Sequence, residues 1–144
     1  MSAKIDADLY IEVKNFYARQ MRVLDDLDIE QFIRTFTENG SVAHPHRGEK
    51  TVGHDNMRIK MNSMLPGYNG LVTRHWFDHF LLEEYEVDAL RVTYYSLVTQ
   101  SNADYQVTFY SSSSVEDIMI RQDGELRIRD RVIYRDHPEK GRVI

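Results

Sequence analysis

The chain has 144 residues, 42% of them hydrophobic, 28% charged and 11% aromatic, the composition of one globular domain over residues 1–144 with enough length to bury a core. Cysteine is absent, which excludes disulfides, thiolate catalysis and cysteine-based zinc or iron–sulfur centres, and the net charge of −5 speaks against a nucleic-acid partner. No apolar run approaches the roughly 18–20 residues that span a bilayer, and the N-terminus lacks the basic-then-apolar pattern of a secretory leader, so the expectation is a cytoplasmic protein without a membrane partner.

Helical signals fill the first half. From Asp8 to Leu24 the residues Leu9, Val13, Phe16, Tyr17, Met21 and Leu24 recur at three- and four-residue spacing, the stripe of an amphipathic helix. A short break at Asp25-Asp26-Leu27 follows, and Asp28-Ile29-Glu30-Gln31 reads as a capping box. The helix it opens carries Phe32, Ile33 and Phe36 and is expected to stop at Asn39-Gly40 with a left-handed residue. Ser41 to His46 reads as extended. After Gly53, Met57, Met61, Met64 and Leu65 mark a third helix, stopped by Pro66-Gly67.

Beyond Leu71 the sequence turns β-rich. Thr73–Glu84, Leu90–Gln100, Tyr105–Ile120 and Leu126–Tyr134 are dominated by β-branched and aromatic residues, with a bulge expected near Ser111–Ser114. Asp123-Gly124 is a strong two-residue hairpin signal. Helices first and antiparallel strands after predict an α+β fold, a curved sheet with three helices on one face.

Several polar residues break the apolar pattern. Asp25 lies four residues after Met21 and eight after Tyr17, so it prolongs the buried stripe; it is either a desolvated carboxylate suited to act as a base or a solvated helix terminator. His75 shares a strand face with Phe77, His79 and Leu81 by the two-residue period, as a proton shuttle or as a hydrogen-bonded core histidine. His44-Pro45-His46 could begin a metal site, but no third ligand is set by spacing, and no metal or cofactor is expected. In the last strand Asp130 falls with the apolar set if no bulge intervenes, while the side of Arg127, Arg129, Arg131, Ile133 and Arg135 reads as a solvated face. The Met57, Met61, Met64 stripe reads as core or as an adaptable wall for an apolar ligand. Nucleophile-elbow, phosphate-loop and dinucleotide motifs are absent.

These segments, in this order, resemble the SnoaL-like part of the nuclear transport factor 2-like superfamily. The carrying pieces are Phe16-Tyr17, Leu24-Asp25, Asp28 to Phe32, Phe36 to Gly40, Thr73-Arg74-His75, Glu116-Asp117 and Asp123 to Ile128. The resemblance implies a cone-shaped antiparallel sheet wrapped by the three N-terminal helices around an apolar pocket. Within its dehydratase branch, Asp25 and His75 match the catalytic carboxylate and histidine. His44 stands where a substrate-polarising tyrosine stands in that branch, and Gln100 where a second histidine does. The Asp–His dyad of scytalone dehydratase is therefore not reproduced in full, though an Asp25/His75 acid–base pair is kept.

The reading that follows is a cofactor-independent lyase, isomerase or cyclase acting on an apolar, carbonyl-bearing small molecule such as a polyketide or steroid-like compound. Asp25 and His75 are the expected catalytic residues, and His44, Tyr17, Tyr95, Gln100 and Asp130 the expected substrate-binding ones. Self-association through the outer sheet face, as a homodimer or higher homo-oligomer, is expected. The alternative is a non-catalytic β-type subunit of a ring-hydroxylating dioxygenase. Met21 to Asp26, Pro45-His46-Arg47 and Thr73-Arg74-His75 resemble that group as well.

Overall fold

The computed structural model describes residues 4–139. Helix α1 spans Ala7–Asp25, and its first turn is closed by Asp6, whose carboxylate accepts from Leu9 N at 2.9 Å. Its buried stripe holds Leu9, Val13, Phe16, Tyr17 and Met21, with Gln20 buried among them. Burying each such apolar side chain contributes roughly 1.5–3 kcal/mol. Asp26 caps the C-terminus of the helix, and Leu27 takes a left-handed φ of 59° that turns the chain into α2, Ile29–Ile33. Asp28 caps α2 by accepting from Gln31 N at 3.2 Å. Gln31 Nε2 returns to the same carboxylate at 2.7 Å rather than to the backbone, because Asp28 N already donates to Val23 O.

The second helix is shorter than its sequence suggests. Strand β1 runs Phe36–His44, so Phe36 to Gly40 is strand and not a helix end. Gly40 is not a left-handed cap. A Cβ there would come within 2.9 Å of Thr37 O and 3.2 Å of Ile128 O, so the glycine is needed for close approach of backbones across a wide bulge. A 3₁₀ turn at Pro45–Arg47 leads into β2, Glu49–Val52, a strand the sequence pattern did not announce. Helix α3, His54–Met64, is stopped by a 3₁₀ turn at Leu65–Tyr68 that contains Pro66 and Gly67.

Four long strands complete the chain: β3 Val72–Tyr85, β4 Ala89–Ser101, β5 Val107–Gln122 and β6 Glu125–Arg135. Asp123 and Gly124 close the β5–β6 hairpin with φ of 53° and 80°, the paired positive values of a tight turn that follows sheet twist. The sheet has six strands in the order β2-β1-β6-β5-β4-β3 and is curved and unclosed. It is not wholly antiparallel, since β1 runs parallel to β6. Together with the three helices this is an α+β fold.

Three bulges set which side chains face the helices. In β3 the register slips between Asp78 and Leu81, where His79 has φ 65°. In β5 it slips at Tyr110, between the partners of Val98 and Thr99. In β6 it slips at Arg129, between the partners of Ile118 and Met119. Each extra residue inverts the in–out alternation of everything beyond it. After its bulge β3 turns Phe80 inward, while Leu81 is exposed. After its bulge β6 turns Arg131 inward. Among the described residues no helix is long and apolar enough to cross a membrane.

Candidate active site

Asp25, the last residue of α1, meets His75 of β3. His75 Nδ1 lies 2.7 Å from Asp25 Oδ1, and the His75 backbone N–H donates to Asp25 Oδ2 at 3.3 Å. The Asp25 side chain is 6% exposed and that of His75 19%. An ionised carboxylate can only accept, so Nδ1 is the donor of this pair, and in a neutral ring that tautomer leaves the lone pair on Nε2. The backbone contact fixes the carboxylate against the strand. Met21, one turn before Asp25, is buried, and this packing holds the end of α1 over β3.

His75 opens onto an interior cavity of about 630 Å³ between the helices and the sheet. Its apolar wall includes Met57, Met61, Met64, Phe36, Phe77 and Val115. Its polar wall includes His44, Tyr68, Ser96, Gln100, Ser113 and Arg131. The volume lies within the range of small-molecule sites. A second, more open groove lies outside, between α1 and the far face of β3–β5, where Asp25, Trp76, Tyr95 and Leu97 line it. His75 borders both spaces, whereas Asp25 borders only the outer one.

Not every expected ligand-binding residue reaches the interior. His44 does, and burial, with Arg47 and His46 adding to it, lowers its pKa from 6.5 to about 4, so the ring is neutral at pH 7. Gln100 does too, and its amide donates to Thr73 Oγ1 at 3.5 Å. Tyr95 does not. It is 53% exposed on the outer face beside His79, and its neighbour Tyr94 is the tyrosine turned inward. Asp130 does not either, because the bulge at Arg129 reverses the strand; it accepts from Ser41 Oγ at 2.7 Å and Arg129 Nε at 3.0 Å. The same reversal removes Arg131 from the solvated face it was assigned to.

Tyr17 is buried, but its hydroxyl is committed elsewhere, donating to Asp117 Oδ2 at 2.8 Å. Asp117 also accepts from Tyr94 at 2.8 Å and from Arg131 through Nε at 2.8 Å and Nη2 at 2.9 Å. Arg131 Nη2 continues to Gln20 Oε1 at 2.8 Å, and Gln20 Nε2 to Thr35 Oγ1 at 2.7 Å. Burial raises the pKa of both phenols, so they stay protonated donors. Burial alone would lower that of Arg131, but Asp117 more than offsets this and the guanidinium stays charged. The sequence signals for this network were a glutamine inside the apolar stripe of α1 and the Glu116-Asp117 pair. Neither was read as a buried ion pair.

The imidazoles of His44 and His46 stand 6.0 Å apart between centroids, and among the described residues no group of three or more His, Asp or Glu is arranged to hold a metal ion.

None of the curated protein sequences matches the chain. Solved structures do. Aln2 from a Streptomyces species is 31% identical over 93% of this chain and 95% of its own, with a TM-score of 0.84. ActVI-ORFA from Streptomyces coelicolor is 32% identical over 91% of this chain and 99% of its own, with a TM-score of 0.86. A protein from Catenulispora acidiphila, solved in complex with S-DNPA, is 29% identical over 91% and 96%, with a TM-score of 0.81. At 16% identity, the β subunit of a proposed aromatic-ring-hydroxylating dioxygenase from Novosphingobium aromaticivorans shares the fold alone, over 88% of each chain at a TM-score of 0.72. The model of the SnoaL-like domain family matches residues 6–132, nearly the whole of the described fold, and the chain belongs to that family.

Proposed function

We propose that the protein is a cofactor-independent acid–base enzyme, a lyase, isomerase or cyclase, acting on an apolar, carbonyl-bearing small molecule of polyketide type in a cone formed by the sheet and helices. The observation that carries this reading is the 2.7 Å Asp25–His75 pair at the wall of the interior cavity. His75 borders that cavity and Asp25 does not, so His75 Nε2 is the base and Asp25 the group that orients it. The base removes a proton next to the substrate carbonyl. The resulting imidazolium, stabilised by Asp25, returns the proton to the leaving or newly formed oxygen. In this reading His44 and Gln100, which line the same cavity, donate to the developing oxyanion, worth a few kcal/mol when pre-organised. A second copy of the chain covering Trp76, Tyr95 and Leu97 on the outer face completes the reading.

The test is solvent-deuterium exchange at the carbon next to the carbonyl of 2-tetralone, followed by NMR. The wild-type chain should catalyse exchange, with or without chelator. Asp25→Asn and His75→Ala should each lower the rate about 100-fold or more, the range for losing a general base. The double variant should be little worse than either single, because the two act as a unit. A folded Asp25→Asn protein with full activity sinks the mechanism. A wild-type chain without any exchange points to the alternative, a non-catalytic subunit.

A further inference from the structure

The dipeptide Asn-Gly occurs twice in the chain, at Asn39-Gly40 and at Asn69-Gly70. It is a chemically weak link. Glycine has no side chain to hinder its amide nitrogen, so that nitrogen can reach the side-chain carbonyl of the asparagine before it and close a succinimide ring. Taken as bare dipeptides the two are equally reactive, but the fold treats them differently.

Asn39-Gly40 lies within β1. The next residue, Ser41, pairs with Val52 of β2 and with Asp130 of β6. Gly40 is buried, and its carbonyl accepts from Gly53 N at 2.8 Å. Bringing the Gly40 nitrogen onto the Asn39 side chain would swing the peptide between them. Thr37 O and Ile128 O already crowd that glycine, so the strand would have to open first.

Asn69-Gly70 lies in the exposed connection between the 3₁₀ turn Leu65–Tyr68 and β3. Asn69 has φ −60° and ψ 129°, Gly70 has φ 75°, and Leu71 N donates to Tyr68 O at 3.1 Å. These are the angles and the closing hydrogen bond of a type II turn, which takes glycine at its third residue because φ there is positive. Among the described residues the Gly70 N–H has no acceptor, and the Asn69 side-chain amide has no hydrogen-bond partner. Both reacting groups are exposed, and neither has a hydrogen bond to give up. The first residue of the turn, Tyr68, is half-buried and lines the interior cavity.

We infer that Asn69 is a site of spontaneous deamidation, and that the product remodels the turn that carries Tyr68 at the cavity wall. The Gly70 nitrogen gives its proton to solvent base and bonds to Asn69 Cγ. The Cγ–Nδ2 bond breaks, and the side-chain nitrogen leaves as ammonia. Water then opens the succinimide at one of its two carbonyls. Opening at the side-chain carbonyl leaves aspartate. Opening at the main-chain carbonyl leaves isoaspartate, in which the backbone runs through the former side chain and is one carbon longer. Both products add a negative charge at residue 69. Isoaspartate alone lengthens the turn, so the bond from Leu71 N to Tyr68 O cannot close as it does now.

The experiment keeps the full chain in mildly alkaline buffer at physiological temperature and follows its tryptic peptides 35–47 and 61–74 by mass spectrometry, with fragmentation placing the amide-to-acid mass gain. In the folded chain acid should accumulate at Asn69 about 10-fold or more faster than at Asn39, because only Asn39 waits on strand opening. In concentrated urea the two rates should come within about 3-fold of each other, since the fold no longer separates them. Asn69→Gln should remove the gain from peptide 61–74 and leave peptide 35–47 unchanged. Equal rates in the folded chain, faster reaction at Asn39, or no acid at Asn69 would overturn the inference. A preference for Asn69 that persists undiminished in urea would overturn it too, by assigning the reactivity to neighbouring sequence and not to the turn. Amide hydrogen exchange followed by NMR reads the remodelling. The Leu71 N–H should be protected in the fresh chain and in Asn69→Asp, the charge control, and should lose that protection in the isoaspartyl form isolated by chromatography. Protection retained in the isoaspartyl form would overturn the remodelling.

Discussion

Asp117→Asn should be among the most destabilising isosteric changes in this chain. The carboxylate accepts from two buried phenols and twice from a buried guanidinium, at 2.8–2.9 Å. An asparagine keeps one acceptor oxygen and turns an amide donor either toward the Arg131 guanidinium, which can only donate, or toward the two phenols, whose hydroxyl hydrogens would have to swing away. It also leaves Arg131, 3% exposed, without a counter-charge. Removing one partner of a buried pair costs about 3–5 kcal/mol, a fifth or more of the roughly 5–15 kcal/mol stability of an ordinary domain. With a urea m-value of about 2 kcal/mol/M, the unfolding midpoint followed by circular dichroism at pH 7 should fall by about 1.5–2.5 M. Adding Arg131→Met should recover part of that loss, since the stranded charge is then gone and only hydrogen bonds are missing. A midpoint shift under about 0.5 M for Asp117→Asn, or a double variant less stable by the full sum of the singles, would refute the account of Asp117 as the counter-ion of the core.

Two further outcomes follow from the same structure. His44 has its pKa lowered to about 4, so the unfolded chain binds its proton first; the contribution of the neutral ring is complete above pH 6.5 and is lost as pH falls toward 4. Solvent screening of this partly exposed ring limits the effect to about 1–2 kcal/mol, and His44→Gln should flatten the pH dependence of the urea midpoint across that window. On the outer face, Trp76 and Tyr95 are 58% and 53% exposed on neighbouring strands, so light scattering should find a particle larger than one 17.0 kDa chain, and Trp76→Ser with Tyr95→Ser should shift it toward monomer without lowering the exchange rate on 2-tetralone.

Local rules read much of the fold correctly from the sequence. The stripe of α1, the cap at Asp28, the stop at Pro66-Gly67 and the Asp123-Gly124 turn each depend on a few adjacent residues, and each is present. The proximity of Asp25 and His75 was suggested by one polar residue on each of two apolar faces and by the family resemblance. What failed was counting by twos through strands with extra residues. His79 and Leu81 were placed on the face of His75, yet the bulge at His79 puts Phe80 there instead. Asp130 and Arg131 exchanged faces for the same reason. The bulge expected near Ser111–Ser114 is present one residue earlier, at Tyr110, whereas the extra residues at His79 and Arg129 are set by pairing with the partner strand and break the alternation without a local signal. The helix expected through Phe36 failed differently: pairing of β1 with β6, about ninety residues away, overrode a local helical pattern.

The buried network and the dyad are connected through one helix. Tyr17 and Gln20 tie α1 to Asp117 and Arg131 on the sheet, and Asp25 stands eight and five residues further along the same helix. At 1.5 Å of rise per residue, those anchors lie about 12 Å and 7.5 Å from the carboxylate along the axis. A helix clamped at two points transmits little slack over that length. The position of Asp25 over β3 is therefore set by the same ion pair that holds the core, and not only by its contact with His75. The acid–base pair proposed here would need its atoms held within about half an ångström, more closely than sites on loops usually are. Placing the carboxylate on the final turn of a helix, where an exposed terminator would be the ordinary choice, makes physical sense when the rest of the helix is pinned by buried charge.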